Sequence, residues 1–435
     1  MVRIEAIKSS LGICSAVLVL SAAFGCSKDN GVAPDRTYKL APGSVTDLSV
    51  SDTTESSVTL TWTAPGDDGM KGTASQYDLR YSTNDITNDT EFNAGTKVSG
   101  LPSPGEPGTV DTAVVTGLAE HTTYYFALKT RDEAFHWSAL SNVARARTLA
   151  VIPRFVLAWG SAGTGDGQFD WPIGIAVDRS GYVYVSDLGS EWRGFCGVQK
   201  FTGDGVFITK WGSHGTGDGQ FSAPSGVTVD GSGNVYVADA LWDRIQKFDG
   251  SGTFLATWGS YGSGFGEFDI ALDVASDGGA MIYVVDQGNA RIQKFDRNGT
   301  FNKWWGSWGS GDGQFNNPSG VAVDKSGNVY VADAGNNRIQ KFDWRGEFLT
   351  KWGSPGSSDG QFKNPCSIAV DANDNVYVLD SDNNRIQKFD GNGVYLTKWG
   401  SPGSGDGQFD RPSDIAMDGN NNIYVVDRHR VQKFR

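Results

Sequence analysis

At 435 residues the chain has room for roughly two to four domains. Its 38% hydrophobic and 12% aromatic content is that of a folded protein, and 58 glycines imply many tight turns. Acidic residues outnumber basic ones 50 to 37, a formal net charge of −13 with no basic run; such a surface repels phosphate backbones, so no nucleic-acid partner is expected.

Residues 1–25 read as an export signal. Arg3 and Lys8 flank the start of the apolar run LGICSAVLVLSAAFG, which ends in small residues before Cys26. The segment AAFGC resembles the lipobox of bacterial lipoproteins. That resemblance implies cleavage before Cys26 and lipidation of its thiol; the alternative is an ordinary secretory signal with a chance cysteine. No other apolar run reaches the ~18 residues needed to span a bilayer, so contact with the membrane is expected through acyl chains only. Ser27 rather than Asp follows the cysteine, which by analogy with Gram-negative sorting favours the outer membrane or cell surface. Of the remaining cysteines, Cys14 leaves with the signal. Cys196 and Cys366 fall in different repeats and are read as small buried thiols, with their pairing left open.

Residues 26–41 are polar, without apolar periodicity, and read as a flexible linker. Alternation then begins. SVTLTWTAP places Val58, Leu60 and Trp62 on one face, the period of a half-buried strand. YDLRYS, AVVTGL and TTYYFALKT follow, separated by Gly, Pro, Asp and Asn clusters, the pattern of an all-β sandwich. On Trp62, on Leu118 six residues before Tyr124, and on WSALSN at 137–142, residues 42–149 resemble a fibronectin type III domain. That family implies a spacer or adhesion module without chemistry. His121 and His136, isolated in this domain, are read as surface residues.

From residue 154 the chain repeats. Phenylalanines of a QF or EF pair stand at 169, 221, 268, 315, 362 and 409, a spacing of 52 and then 47, and WG tryptophans at 159, 211, 258, 305, 352 and 399 keep the same spacing. Each unit holds four strand-like pieces, such as SGVAVD, NVYVAD, RIQKF and FLTKWG, and no helix signal, which points to propeller blades. The last unit stops at RVQKFR, one strand short, while RFVLAWG at 154–160 is a strand without a unit. The N-terminal strand is therefore expected to complete the last blade and close the ring, removing the open sheet edge. The unit NPSGVAVDKSGNVYVADAGNNRIQKFDWRGEF resembles the NHL repeat, over residues 154–435 in all six units. The resemblance implies a six-bladed all-β propeller, with GVAVD innermost and LTKWG outermost.

The glycine-rich GSGDGQF, found at 309–315 and 403–409 with related forms entering every blade, offers three readings. A phosphate cradle needs a helix after the glycines or a Gly-Lys-Ser/Thr run, and a strand follows instead. Calcium needs several converging oxygens, and one Asp per loop leaves only weak calcium binding open; no other cofactor is expected. The preferred reading is a blade-crossing turn whose Phe plugs between blades. The pairs Asp239/Arg244, Asp286/Arg291, Asp333/Arg338 and Asp380/Arg385 recur at a spacing of five and are read as exposed braces across a turn.

Residues shared by all repeats hold up the blade, so function is sought where the repeats differ. Crossing loops and the loops before RIQKF are expected on one face. Blade one carries a longer loop with Glu191, Trp192, Arg193 and Phe195; Trp171, Trp242, Tyr261, Phe265, Trp308, Arg428 and His429 are further departures. Trp171, Trp192, Arg193, Trp242, Tyr261, Trp308, Arg428 and His429 are the candidate ligand-binding residues, suited to an extracytoplasmic protein or a polysaccharide. The enzymatic alternative is a metal-dependent hydrolase or lyase, lactonase-like or amidating-lyase-like, acting at the propeller channel. His214 and His429 alone do not make a histidine-rich zinc site, and no G-x-S-x-G nucleophile motif appears, so no catalytic residue is assigned. The RNA-binding and ubiquitin-ligase roles of some eukaryotic relatives fit neither the acidity nor the export signal.

Overall fold

The computed structural model describes residues 40–68, 71–189 and 195–435. The segment expected to be an export signal, Cys26 and most of the expected linker lie outside the described residues, as do Glu191, Trp192 and Arg193.

The N-terminal domain is a sandwich of two antiparallel sheets. One holds Ser49–Thr53, Ser57–Thr63 and Val110–Thr116; the other holds Thr96–Lys97, Gln76–Ser82, Thr123–Arg131 and Ala144–Arg147. Alternation decides the packing: Val58, Leu60 and Trp62 are buried while their neighbours are not, and the Trp62 ring meets Tyr77 edge-on at 5.1 Å. The Tyr124 hydroxyl accepts from the Ala119 N–H at 2.9 Å and pins the loop after Leu118. In WSALSN, Ser138 and Ser141 take up the N–H groups of Thr130 and Leu128. A six-residue helix, Asp89–Ala94, interrupts the strands; Asn88 caps it by accepting from Thr90 and Glu91 N–H.

The propeller consists of six four-stranded antiparallel sheets. Blade four is typical: Pro318–Val323 faces the axis, followed outward by Val329–Asp333, Arg338–Phe342 and Phe348–Trp352. Blade six is made of Pro412–Met417, Ile423–Asp427 and Arg430–Phe434 plus the strand Phe155–Trp159 from the other end of the propeller. Phe155 pairs with Phe434, and Arg154 and Arg435 exchange both main-chain hydrogen bonds, at 2.8 and 2.9 Å. The ring thus closes as the unpartnered strand suggested.

GSGDGQF is the blade-crossing turn. Gly311 N–H donates to Gln314 Oε1, Gly313 N–H donates to Gln340 Oε1, and Phe315 is fully buried, as are its five counterparts. The Asp–Arg pairs depart from expectation because they are not exposed. Asp239, Asp286, Asp333 and Asp380 have no accessible surface, and their arginines are nearly covered. The crossing turn lies over them: Arg338 donates from Nε to Asp333 at 2.7 Å and from its two Nη atoms to the carbonyls of Ser310, Gly311 and Gln314. Each arginine therefore clamps a crossing turn onto its blade, and burial raises the carboxyls of Asp239 and Asp286 against the pull of their partners.

A second stitch runs between blades. Lys200, Lys247, Lys294, Lys341 and Lys433, at one position of the third strands, each donate to a main-chain carbonyl in the next blade's outer hairpin, at 2.7–3.0 Å. Lys388 is the exception. The next blade is blade six, whose outer strand arrives from the other end of the propeller, so it has no such hairpin. Glu120 of the N-terminal domain takes that place, at 2.9 Å from Lys388 Nζ, while its other oxygen holds the N–H of Val151 in the interdomain segment.

Candidate functional site

The crossing turns and the loops between second and third strands share one face, because each Arg of the third strand binds the crossing turn beside it. On that face blade six differs from its sisters. In blades three to five, Asn289, Asn336 and Asn383 fill the loop by linking the blade's buried Asp to a crossing-turn carbonyl. Blade six has Asp427-Arg428-His429-Arg430, two residues shorter, and no such Asn. Two clefts flank the short hairpin, with Arg428 and His429 common to both. One, of about 200 Å³, lies toward Ser161 and Asp410; the other, of about 140 Å³, lies toward Trp171, Arg411 and Ser413.

Three of the residues singled out in the sequence, Trp171, Arg428 and His429, therefore meet in one cleft at the junction of blades six and one. Trp171 is 55% exposed at its rim. Arg428 is ion-paired with Asp410, and His429 Nδ1 is buried without a hydrogen-bond partner among the described residues. Trp242, Tyr261 and Trp308 do not line the cleft. They stand on the loops of other blades, 43%, 74% and 76% exposed. Tyr261 shares its crossing turn with Phe265, which stacks on Phe301 at 5.0 Å. Blades one, four and five carry an Asp–Lys ion pair where blade three has Phe265 and Trp304. Trp192 and Arg193 lie outside the described residues. His214 sits in the crossing turn of blade two, bridged to Phe221.

The channel holds residues that the loop-centred reading passed over. The third residue of the innermost strands forms a ring: Gly174, Gly226, Asp273, Gly320, Ser367 and Asp414. Gly226 has no room for a side chain beside its neighbour; a Cβ there would stand 2.2 Å from Asp273 Oδ1. The two Asp residues lie on opposite blades, three and six. Asp273 accepts from Val321 N–H of blade four at 2.9 Å, and Asp414 accepts from Ile175 N–H of blade one at 2.6 Å and from the Ser367 hydroxyl of blade five. Each carboxyl thus staples adjacent blades. Burial together with the charge of Asp414 raises the Asp273 carboxyl well above the usual carboxylate range, and burial raises Asp414 as well. Cavities of about 120 and 170 Å³ lie on the two sides of this ring. Cys196 and Cys366 are both free; Cys366 lines the cavity on the loop side.

A metal-dependent channel enzyme would draw on these groups, and they do not fit one. Among the described residues no three His, Cys, Asp or Glu side chains converge, and each oxygen of Asp273 and Asp414 already accepts a hydrogen bond, from a neighbouring blade or from its own strand.

Comparison with known families agrees with this architecture. The model of the fibronectin type III domain matches residues 43–144, that of the NHL repeat residues 315–342, and that of a 6-bladed beta-propeller family residues 356–434. No curated protein matches the chain. Similar solved structures include a streptogramin B lyase (13% identity, TM-score 0.45, covering 72% of this chain and 89% of that one). A catalytically inactive virginiamycin B lyase from Staphylococcus aureus with quinupristin is similar at 13% identity and a TM-score of 0.44, covering 72% of this chain and 91% of that one. A protein of unknown function from Bacteroides caccae matches at 13% identity and a TM-score of 0.42, covering 56% of this chain and 85% of that one. The chain is a fibronectin type III domain followed by a six-bladed β-propeller of NHL-type repeats.

Proposed function

We propose that the chain is an exported, lipid-anchored recognition protein whose propeller binds an extracytoplasmic protein or polysaccharide through its loop face. The observation that carries this reading is the convergence of Trp171, Arg428 and His429 on one cleft of that face. Their types suit recognition: an exposed indole offers a broad apolar plate, Arg a planar donor fork, and His a donor or acceptor. The export signal and Cys26 would tether the chain to a membrane, and the N-terminal domain would hold the propeller away from it. A channel hydrolase or lyase is the weaker alternative, since the channel carboxylates are engaged in holding blades together.

The test is a glycan and surface-protein binding screen with the full chain and its variants. Trp171→Ala is expected to weaken the ligand found at least tenfold, while Trp242→Ala and Trp308→Ala leave it within about twofold, because only Trp171 lines the cleft. If Trp171→Ala and Arg428→Ala both bind as well as the parent, the cleft is not the site. Loss of palmitate labelling in Cys26→Ala cells tests the anchor.

A further inference from the structure

We infer that the cleft between blades six and one takes an acidic sugar ring, with its carboxylate on Arg411 and its apolar ring face on Trp171; this rests on the recognition reading above and names its ligand class. The argument begins with Arg411. It occupies the residue before Pro412, a position held in the left-handed region at φ 58°. Blades three, four and five have Ile270, Asn317 and Asn364 there, at φ 62°, 48° and 57°, so the left-handed conformation belongs to the repeat. What sets blade six apart is the guanidinium it brings to this position, in the wall of the cleft. Arg428, at φ 56° in the shortened hairpin, is a second left-handed arginine lining the same cleft.

The charges around the cleft leave Arg411 available. Asp410 is taken by Arg428, and Asp427 by Arg430. Arg411 takes part in none of the ion pairs found among the described residues. In a chain with a net charge of −13, a guanidinium in a cleft selects a local anionic group, while the surrounding surface repels an extended polyanion. The remaining wall is suited to a hydroxylated ring. Trp171 presents a flat apolar face, Ser413 a hydroxyl, and His429 a buried Nδ1 that no group among the described residues satisfies. The volume of about 140 Å³ is well below the ~300–1,000 Å³ of sites for larger ligands, and matches a single ring.

The experiment is calorimetric titration of the full chain in detergent with oligogalacturonate, its methyl ester, a neutral galactose oligomer of equal length, and free galacturonate. Arg411→Asn installs the residue of the sister blades, so its fold is retained, which circular dichroism checks. Expected are binding of oligogalacturonate, binding at least tenfold weaker for the ester and the neutral oligomer, and a loss of at least tenfold in Arg411→Asn and in Trp171→Ala. Arg345→Gln, a change on the outer hairpin of blade four, is expected to have no effect. Free galacturonate binding as tightly as the oligomer would assign the cleft to a soluble acid sugar; much weaker binding would assign it to a residue within a chain. If ester and acid bind alike, or Arg411→Asn binds as the parent does, the acidic-sugar assignment is overturned while the recognition reading stands. If no glycan or protein in the wider screen binds at all, both fail.

Discussion

Glu120→Gln, combined with Lys388→Met in a double-mutant cycle, probes how the N-terminal domain joins the propeller. Five of the six third-strand lysines find a main-chain carbonyl in the next blade; Lys388 finds the Glu120 carboxylate instead. The ammonium is 5% exposed and the carboxylate 33%. A hydrogen bond to a charged group contributes ~1.5–3 kcal/mol when buried, and exposed ion pairs contribute ~0–1 kcal/mol. With one partner covered and the other one-third open to solvent, a coupling of about 1 kcal/mol is expected, or about fivefold in the population of the undocked joint. Stability of the four proteins by urea titration gives the coupling, and the rate of proteolysis within residues 149–154 gives the undocked fraction. Lys341→Met paired with Glu120→Gln is the control and is expected to be additive, because Lys341 bonds Gly391. Additivity of Glu120→Gln and Lys388→Met within ~0.3–0.5 kcal/mol, with unchanged proteolysis, would refute the joint.

Two further outcomes concern the propeller itself. Burial and the charge of Asp414 hold the Asp273 carboxyl well above its unfolded value of 3.8, so the folded chain keeps a proton that the unfolded chain has lost; stability from this group is greatest below about pH 4 and falls as pH rises above it, by at most ~1.4 kcal/mol per pH unit. The difference between parent and Asp273→Asn stability curves is expected to show that slope, and parallel curves would contradict it. Arg338→Ala removes the clamp on a crossing turn and leaves Asp333 buried and unpaired, at a cost of ~3–5 kcal/mol in thermal or urea unfolding; a loss below ~1 kcal/mol would mean that the pair behaves as an exposed one.

Much of the architecture was legible because repetition writes it several times over. Six copies of the strand and turn pattern mark the blades, and the strand left over at 154–160 marks how they join. Alternation around Trp62 marks the sandwich in the same way. The short helix at Asp89–Ala94 went unread although Asn88 and Glu91 carry a capping signal, because one and a half turns leave no apolar period. The channel carboxylates were also written in the sequence, as LDV and SDI where a sister blade reads SGV, but departures were sought in loops.

The order of strands and the shape of each turn were set by local sequence, since hydrogen-bond ladders and turn conformations depend on residues a few positions apart. Burial of the Asp–Arg pairs was not, because their cover comes from the crossing turn, some 25 residues away in the chain. The same holds more strongly at the cleft. Trp171 and Arg428 are separated by almost the whole propeller, and Asp273 and Asp414 by half of it; only closure of the ring brings the first two to one wall and sets the other two on opposite sides of one channel. Proximity across a closed ring depends on how many blades complete it, a global property that no single repeat encodes.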